Sequence, residues 1–260
     1  MTVDLRRSAL PQRVKRAVDF SDRIAALLAK IDCRRADTAK ERDAIFRLRY
    51  QAYLREGAID GNATGTFSDP FDELGNVYLF GLYIDGELAS SIRLHAASKE
   101  HPEFPTLEVF SDTLQPELDA GKVIVDSTRF VADEGLSRRY RGLPYATLRL
   151  SMVAGQHFHA DLVLAAVRTE HQAFYRRAFN QKLLGEARPY PGLAKPISLM
   201  AVRYPSVVDQ LWRRYPFIPA TASERRRLFE PGPTPAHVES PRLQGDAGPF
   251  FERRITRLAG

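Results

Sequence analysis

Asp126 falls within KVIVDSTRFVA (122–132), a run that reads as a central strand. A carboxylate there either takes a proton from a reacting group or pairs with an arginine such as Arg93 or Arg129. Arg49 and Tyr53 stand four residues apart in 38–55, which reads as a helix, so they share one face. A guanidinium on that face can hold a carboxylate bidentately. It can equally tie down an acidic loop through Asp69 or Asp72. Arg93 sits mid-strand, where an unpaired buried charge is costly, and an internal ion pair is expected. His171, near a helix start, can act as a base or as a structural hydrogen-bonder. His157 and His159 look like a metal pair, but residues two apart diverge on a helix, and no metal site is expected. Cys33 is the only cysteine, which excludes an intrachain disulfide and a cysteine-based metal site. A small buried or half-buried thiol is expected.

Lysine and arginine number 38 against 32 acidic residues, a net charge of +6. The surplus is local: Arg138, Arg139 and Arg141; Arg176 and Arg177; Arg213 and Arg214; Arg225 to Arg227. Such clusters can meet nucleic acid, anionic lipid or an acidic protein, or simply face water. The arginines are scattered and no nucleic-acid motif accompanies them, so a basic nucleic-acid-binding module is the alternative class and no nucleic acid is expected. The chain has 260 residues, 44% hydrophobic and 27% charged, which excludes a wholly disordered chain, a collagen and a coiled-coil rod. No apolar run approaches the ~18 residues of a membrane helix, and the N-terminus carries charges throughout, without a signal core. The reading is a cytoplasmic protein with no transmembrane segment, allowing at most weak association with a membrane surface.

The elements that must position these residues can be read in order. Residues 1–31 read as a basic helix with Phe20, Ile24, Leu27 and Leu28 at helical spacing. Thr38 is placed to cap the helix 38–55. A turn-rich loop (62–76) precedes two strand-like runs joined by Asp85 and Gly86, a strong hairpin signal. Residues 107–119 read as a short helix or turn. Then come strand 122–132, a long helix 143–160 with Pro144 in its first turn, and the buried strand 161–167. A helix over 169–179 follows with Thr169 as cap, then two closing strands, a helix 206–215 and a loosely held Pro-rich extension. The fold class expected is α/β (α+β), a single mixed sheet flanked by helices.

In this order and spacing the segments from about 38 to 205 resemble the GNAT-like acyltransferases. More narrowly, they are similar to the branch of N-acyl amino acid synthases and acyl-homoserine-lactone autoinducer synthases. RLRYQAY (47–53) resembles the family's arginine followed four residues later by an aromatic. SDPFDELGNVYLFGLYIDGELASSIRL (68–94) resembles its acidic loop and hairpin, with Asp69, Asp72 and Arg93. VDSTRFVA (125–132) resembles its acidic–x–Ser–Arg–Phe strand, with Asp126 where a glutamate usually stands. HQAFYRRAFNQKLLGEARPYPGLAKPISLM (171–200) resembles the N-acyl amino acid synthases specifically.

The resemblance implies an N-acyltransferase that moves a long fatty acyl chain from acyl carrier protein to the amine of an amino acid. It implies no resident cofactor, only a phosphopantetheine thioester, as acyl carrier protein or acyl-CoA, as co-substrate. Asp126, Tyr175 and His171 become the catalytic candidates. Arg49, Tyr53, Asp69, Asp72, Arg93 and Arg129 become the substrate-binding set. Arg138, Arg139, Arg141 and Gly142 would meet the carrier and its phosphopantetheine. Two departures matter. The autoinducer synthases add a tryptophan after the first helix motif, where this chain has LREGAID. Acetyl-CoA enzymes bind pyrophosphate on backbone N–H groups ahead of the long helix, where this chain puts Pro144, which has no N–H. An autoinducer synthase and an acetyl-CoA enzyme therefore stand as alternatives. The expected organisation is a helical extension (1–37), the acyltransferase domain (38–205), and a C-terminal helix with its extension (206–260).

Overall fold

Seven strands join in one mixed sheet, with nine α-helices packed around it, among the residues that the computed structural model describes: 12–230, with 12–19 as backbone only. In chain order these are α1 (Gln12–Leu28), β1 (Ile31–Arg35), α2 (Ala39–Arg55), β2 (Val77–Ile84), β3 (Glu87–Ala97), α3 (Pro105–Val109), α4 (Ser111–Asp119) and β4 (Ile124–Ala132). There follow α5 (Glu134–Arg139), α6 (Leu143–His157), β5 (Leu162–Val167), α7 (Gln172–Phe179), β6 (Lys182–Arg188), β7 (Ile197–Arg203), α8 (Tyr204–Arg214) and α9 (Ala222–Phe229). The sheet order is β1-β2-β3-β4-β5-β7-β6. Only β4 and β5 run parallel.

Local chemistry explains the best-defined elements. Thr38 Oγ1 accepts from the Glu41 N–H while the Glu41 carboxylate takes the Thr38 N–H, a reciprocal cap that starts α2. Asp85 and Gly86 both adopt positive φ, 52° and 84°, as the tightest hairpin turn demands, and β2 and β3 follow from it.

Three expectations need correction. The first helix ends at Leu28, and IDCRR forms an edge strand instead of prolonging it. An edge strand keeps alternate residues in water, so its charges imitate a helix surface. Thr169 caps nothing: residues Thr169–His171 make a 3-10 turn, and α7 starts at Gln172 without a side-chain cap. The chain beyond α8 is not loose up to residue 230. Thr221 caps α9, and Leu228 and Phe229 enter the core. Residues 1–11 of the expected first helix and 231–260 of the expected extension lie outside the described residues.

The two sheet faces differ. On one, Phe80, Leu82, Ile92, Leu94, Val125, Val163 and Met200 pack with α6 and with buried residues of α1, α8 and α9. On the other, two apolar patches lie apart. Ile45, Leu48 and Ala52 of α2 meet Leu79 and Val131. Phe110, Leu114 and Leu118 of α3–α4 meet Ile124, Leu162, Leu164 and Leu199. Between them, alternation along β3 and β4 places Arg93, His95, Asp126 and Thr128, all buried.

Candidate active site

β5 pairs with β4 over four residues only, 124–127 against 162–165. From Thr128 onward the outer edge of β4 has no β5 partner, while β5 stays paired to β7 through Val167. On its other edge β4 carries a bulge. Ser91 faces Val131 and Arg93 faces Thr128, so Arg129 and Phe130 oppose Ile92 alone. Arg129 takes φ 55°, a strained conformation for a non-glycine residue. The bulge re-aims its side chain across the α2 face of the sheet.

There the sequence-selected charges meet. Asp72 accepts two bonds from Arg49 Nη1, at 2.9 and 2.8 Å, with both side chains wholly buried. Arg93 Nη1 reaches Asp69 at 2.5 Å and Asp72 at 3.1 Å, and Arg93 Nε donates to Thr128 Oγ1. Arg129 donates to Asp69 through Nε and Nη2, at 3.2 and 2.7 Å. The two aspartates are set by a 3-10 turn, Pro70–Glu73, in which Asp69 is cap and Asp72 closes the capping box. Three guanidinium groups against two carboxylates leave one formal positive charge. Burial pulls Arg49 down to about 10, still protonated at neutral pH. Burial alone would raise Asp69, but Arg93 and Arg129 outweigh it and hold the carboxyl at about 2.

Aromatic rings surround the Arg129 end of this cluster. The Arg129 guanidinium lies 4.8 Å from the Phe67 ring centre and 5.8 Å from those of Tyr53 and Tyr190. Burial raises the Tyr190 phenol, and its charge neighbours are Arg129, Asp126, Arg93 and Asp69. Tyr190 therefore lies beside the cluster, next to Arg129.

Asp126 pairs with neither Arg93 nor Arg129, which take Asp69 instead. Its oxygens accept from Thr106, one from the hydroxyl at 2.8 Å and one from the backbone N–H at 3.3 Å. Burial raises its pKa to about 6, against the lowering by Thr106 and Arg93. A carboxylate so poised can take a proton near neutral pH. Directly across the ladder stands His95, whose Nε2 donates to the Phe71 carbonyl at 3.0 Å. Burial and Arg93 lower its pKa to about 4, so the ring is neutral.

The other selected residues lie further out. Tyr175 is buried on α7, its phenol raised by burial and by the nearby Tyr53. His171 is exposed, and its Nε2 is 2.8 Å from Arg168, which also pairs with Glu56. Arg138 and Arg139 are exposed at the end of α5; Arg138 pairs with Glu134 and Arg139 lies over Tyr140. Arg141 is exposed beside Gly142. A side chain on Gly142 would collide with Ile24 and Leu27 of α1, so this glycine lets α1 approach α6.

Sequence reasoning missed Thr106, His95, Phe67 and Tyr190. Thr106 lies 20 residues from the carboxylate it holds, in a helix of five residues. His95 becomes Asp126's neighbour only through sheet register. Tyr190 carried a signal, the Pro–Tyr turn of the family motif, without an assigned role.

A mixed sheet parted at β4 and β5, with a bulged β4 beside the opening, is the GNAT-like arrangement. The family model "N-acyl amino acid synthase FeeM" matches residues 44–203, more than half of the sequence, and the chain belongs to this family. The solved structure of FeeM, an N-acyl amino acid synthase from uncultured soil microbes, is similar with a TM-score of 0.59 and 18% identity. That match covers 71% of this chain and 96% of that one. The acyl-homoserine-lactone synthase LasI matches with a TM-score of 0.50 and 16% identity, over 66% of this chain and 88% of its own. At these identities the structures establish the shared fold. No curated protein sequence matches the chain. Among the described residues no helix is long and apolar enough to cross a membrane.

Proposed function

We propose that the protein transfers a long fatty acyl group from acyl carrier protein to the α-amine of an amino acid. One observation carries this reading: the surplus positive charge of the arginine–aspartate cluster, presented by Arg129 inside a ring of Tyr53, Phe67 and Tyr190 where β4 leaves β5. An amino acid is a carboxylate next to an amine. Its carboxylate neutralises the surplus at Arg129, with Arg49 and Arg93 holding the aspartates in place behind it. Its ammonium gives up a proton to Asp126, directly or through water. The free amine then attacks the acyl carbonyl. Backbone N–H groups of β4 beyond Ser127, freed from the ladder, are suited to the developing oxyanion. As the carbon–sulfur bond breaks, the departing thiolate takes a proton from the Tyr175 phenol, which recovers one from the attacking nitrogen in the same step.

Arg138, Arg139 and Arg141 form the docking face for an acidic carrier. Gly142, packed under α1, has a structural part there, and His171, already bonded to Arg168, lies outside the proton path. Neither free CoA nor S-adenosylmethionine is favoured by a particular residue of this site. The test is mass spectrometry of lipid extracts from a bacterial host expressing the protein. N-acyl amino acids with chains of about ten or more carbons are expected, since each buried methylene contributes ~0.8 kcal/mol to chain selection. Extracts holding only acyl-homoserine lactones would overturn the proposal.

A further inference from the structure

His95 is wholly buried, yet half of its hydrogen-bonding capacity is unused. Its Nε2 faces the Phe71 carbonyl, which can only accept, so Nε2 carries the proton. In the neutral ring Nδ1 is then a lone-pair acceptor. It has no partner among the described residues. The directly opposite residue on β4, on the same face of the sheet, is Asp126. Each carboxyl oxygen of Asp126 receives one bond from Thr106. Once protonated, that carboxyl becomes a donor that needs an acceptor. A buried acceptor without a donor thus stands across from a carboxyl that gains a donor during the reaction.

We infer that His95 Nδ1 accepts the hydrogen bond of protonated Asp126, directly or through one water, and so holds the proton that Asp126 takes from the substrate amine. The inference rests on the reading of Asp126 as the amine's proton acceptor, and it makes His95 a positioning residue. The proton balance is complete. The ammonium passes one proton to Asp126, which donates it in a hydrogen bond to Nδ1. The attacking nitrogen loses a second proton as the amide forms, while the leaving sulfur gains one from Tyr175. Tyr175 recovers the nitrogen's proton, and Asp126 releases its own to solvent before the next turnover. His95 stays neutral throughout. The groups that face it are Arg93 on its own strand, Asp69, Asp72 and Phe71 from the 3-10 turn, and Asp126 on β4. Those that face Asp126 are Thr106 of α3, Arg93 of β3 and Tyr190.

A hydrogen bond made only by the protonated form raises a carboxyl pKa. The experiment is a carbon-13 carboxyl NMR titration of the full chain, with the Asp126 signal assigned by its loss in Asp126→Asn. It compares the wild type with His95→Phe, which keeps a ring against Phe71 and loses both nitrogens, and with His95→Gln, which keeps a donor and an acceptor. Phenylalanine makes the surroundings drier, which alone would raise Asp126 further. The inference expects the opposite: a fall of about one pH unit in His95→Phe, the size of one net hydrogen bond, and a value near wild type in His95→Gln. The acidic limb of the rate profile should move with the titration. An unchanged or raised Asp126 pKa in His95→Phe would overturn the inference, whatever happens to the rate. Loss of the catalytic reading would show differently, as full activity in Asp126→Asn.

Discussion

Replacing Asp126 by asparagine should make the protein less active and, near neutral pH, relatively more stable. The carboxyl is wholly buried and its pKa is raised from 3.8 to about 6. The folded state therefore binds this proton more tightly than the unfolded chain does. Stability from this group is present at low pH and is lost as pH rises from about 4 through about 6. By pH 7.5 the ionised carboxylate costs roughly 3 kcal/mol, about two pKa units at ~1.4 kcal/mol each. At pH 4.5 the cost is only about 1 kcal/mol. Asparagine removes the charge at both pH values. It also offers one oxygen where Thr106 needs two acceptors, which costs about 1–3 kcal/mol, equally at both. The variant's stability relative to wild type should thus be about 2 kcal/mol better at pH 7.5 than at pH 4.5. For a chain of this size that is about 4–8 °C in Tm. The assay is thermal unfolding of both proteins at the two pH values, alongside kcat, which should fall ~10²–10⁴-fold. A variant whose relative stability is worse at pH 7.5 than at pH 4.5 would refute the argument that the buried charge is a burden kept for chemistry.

Other consequences are as direct. Arg129→Met should raise KM for the amino-acid acceptor at least about tenfold, one lost charge-assisted contact, and leave KM for the acyl donor nearly unchanged in steady-state kinetics. Arg49→Met takes two charge-assisted bonds from the buried Asp72 carboxylate and leaves Arg93 as its arginine partner, and should cost about 1–3 kcal/mol in urea unfolding. Changing Arg138, Arg139 and Arg141 together to glutamate should cut kcat/KM with acyl carrier protein, most at low salt, while Tm barely moves. Asp69, held at about 2, contributes stability that is complete above about 4 and lost as pH falls toward 2, so Asp69→Asn should flatten acid unfolding in that window.

The parts of the fold legible in sequence were those with a short-range cause. The Thr38–Glu41 cap, the Asp85–Gly86 turn and the apolar runs of β4 and β5 each carry their physics within a few residues. β1 and α9 were not legible because each buries only part of itself. α9 hides Leu228 and Phe229 behind three consecutive arginines, and only tertiary contact makes it a helix worth holding. The charged members of the site were legible in two ways: Arg93 and Asp126 are conspicuous inside apolar strands, and Arg49 stands four residues before Tyr53, as in the family motif. Which charge pairs with which was not. Choosing between Arg93 and Thr106 as the partner of Asp126 depends on where α3 lies over the sheet face, and no spacing rule contains that placement.

Cys33 lies on the α6 side of the edge strand, against a cavity of about 220 Å³ walled by Leu28, Leu82, Ala146, Leu150 and Leu228. Burial pushes its thiol up to about 12, so almost none of it is thiolate at neutral pH. The thiolate is the form that attacks a thioester. A protein that handles activated acyl chains risks capturing them on its own sulfur, and here the chain's single sulfhydryl is held by burial as the thiol, on the sheet face opposite the arginine–aspartate cluster.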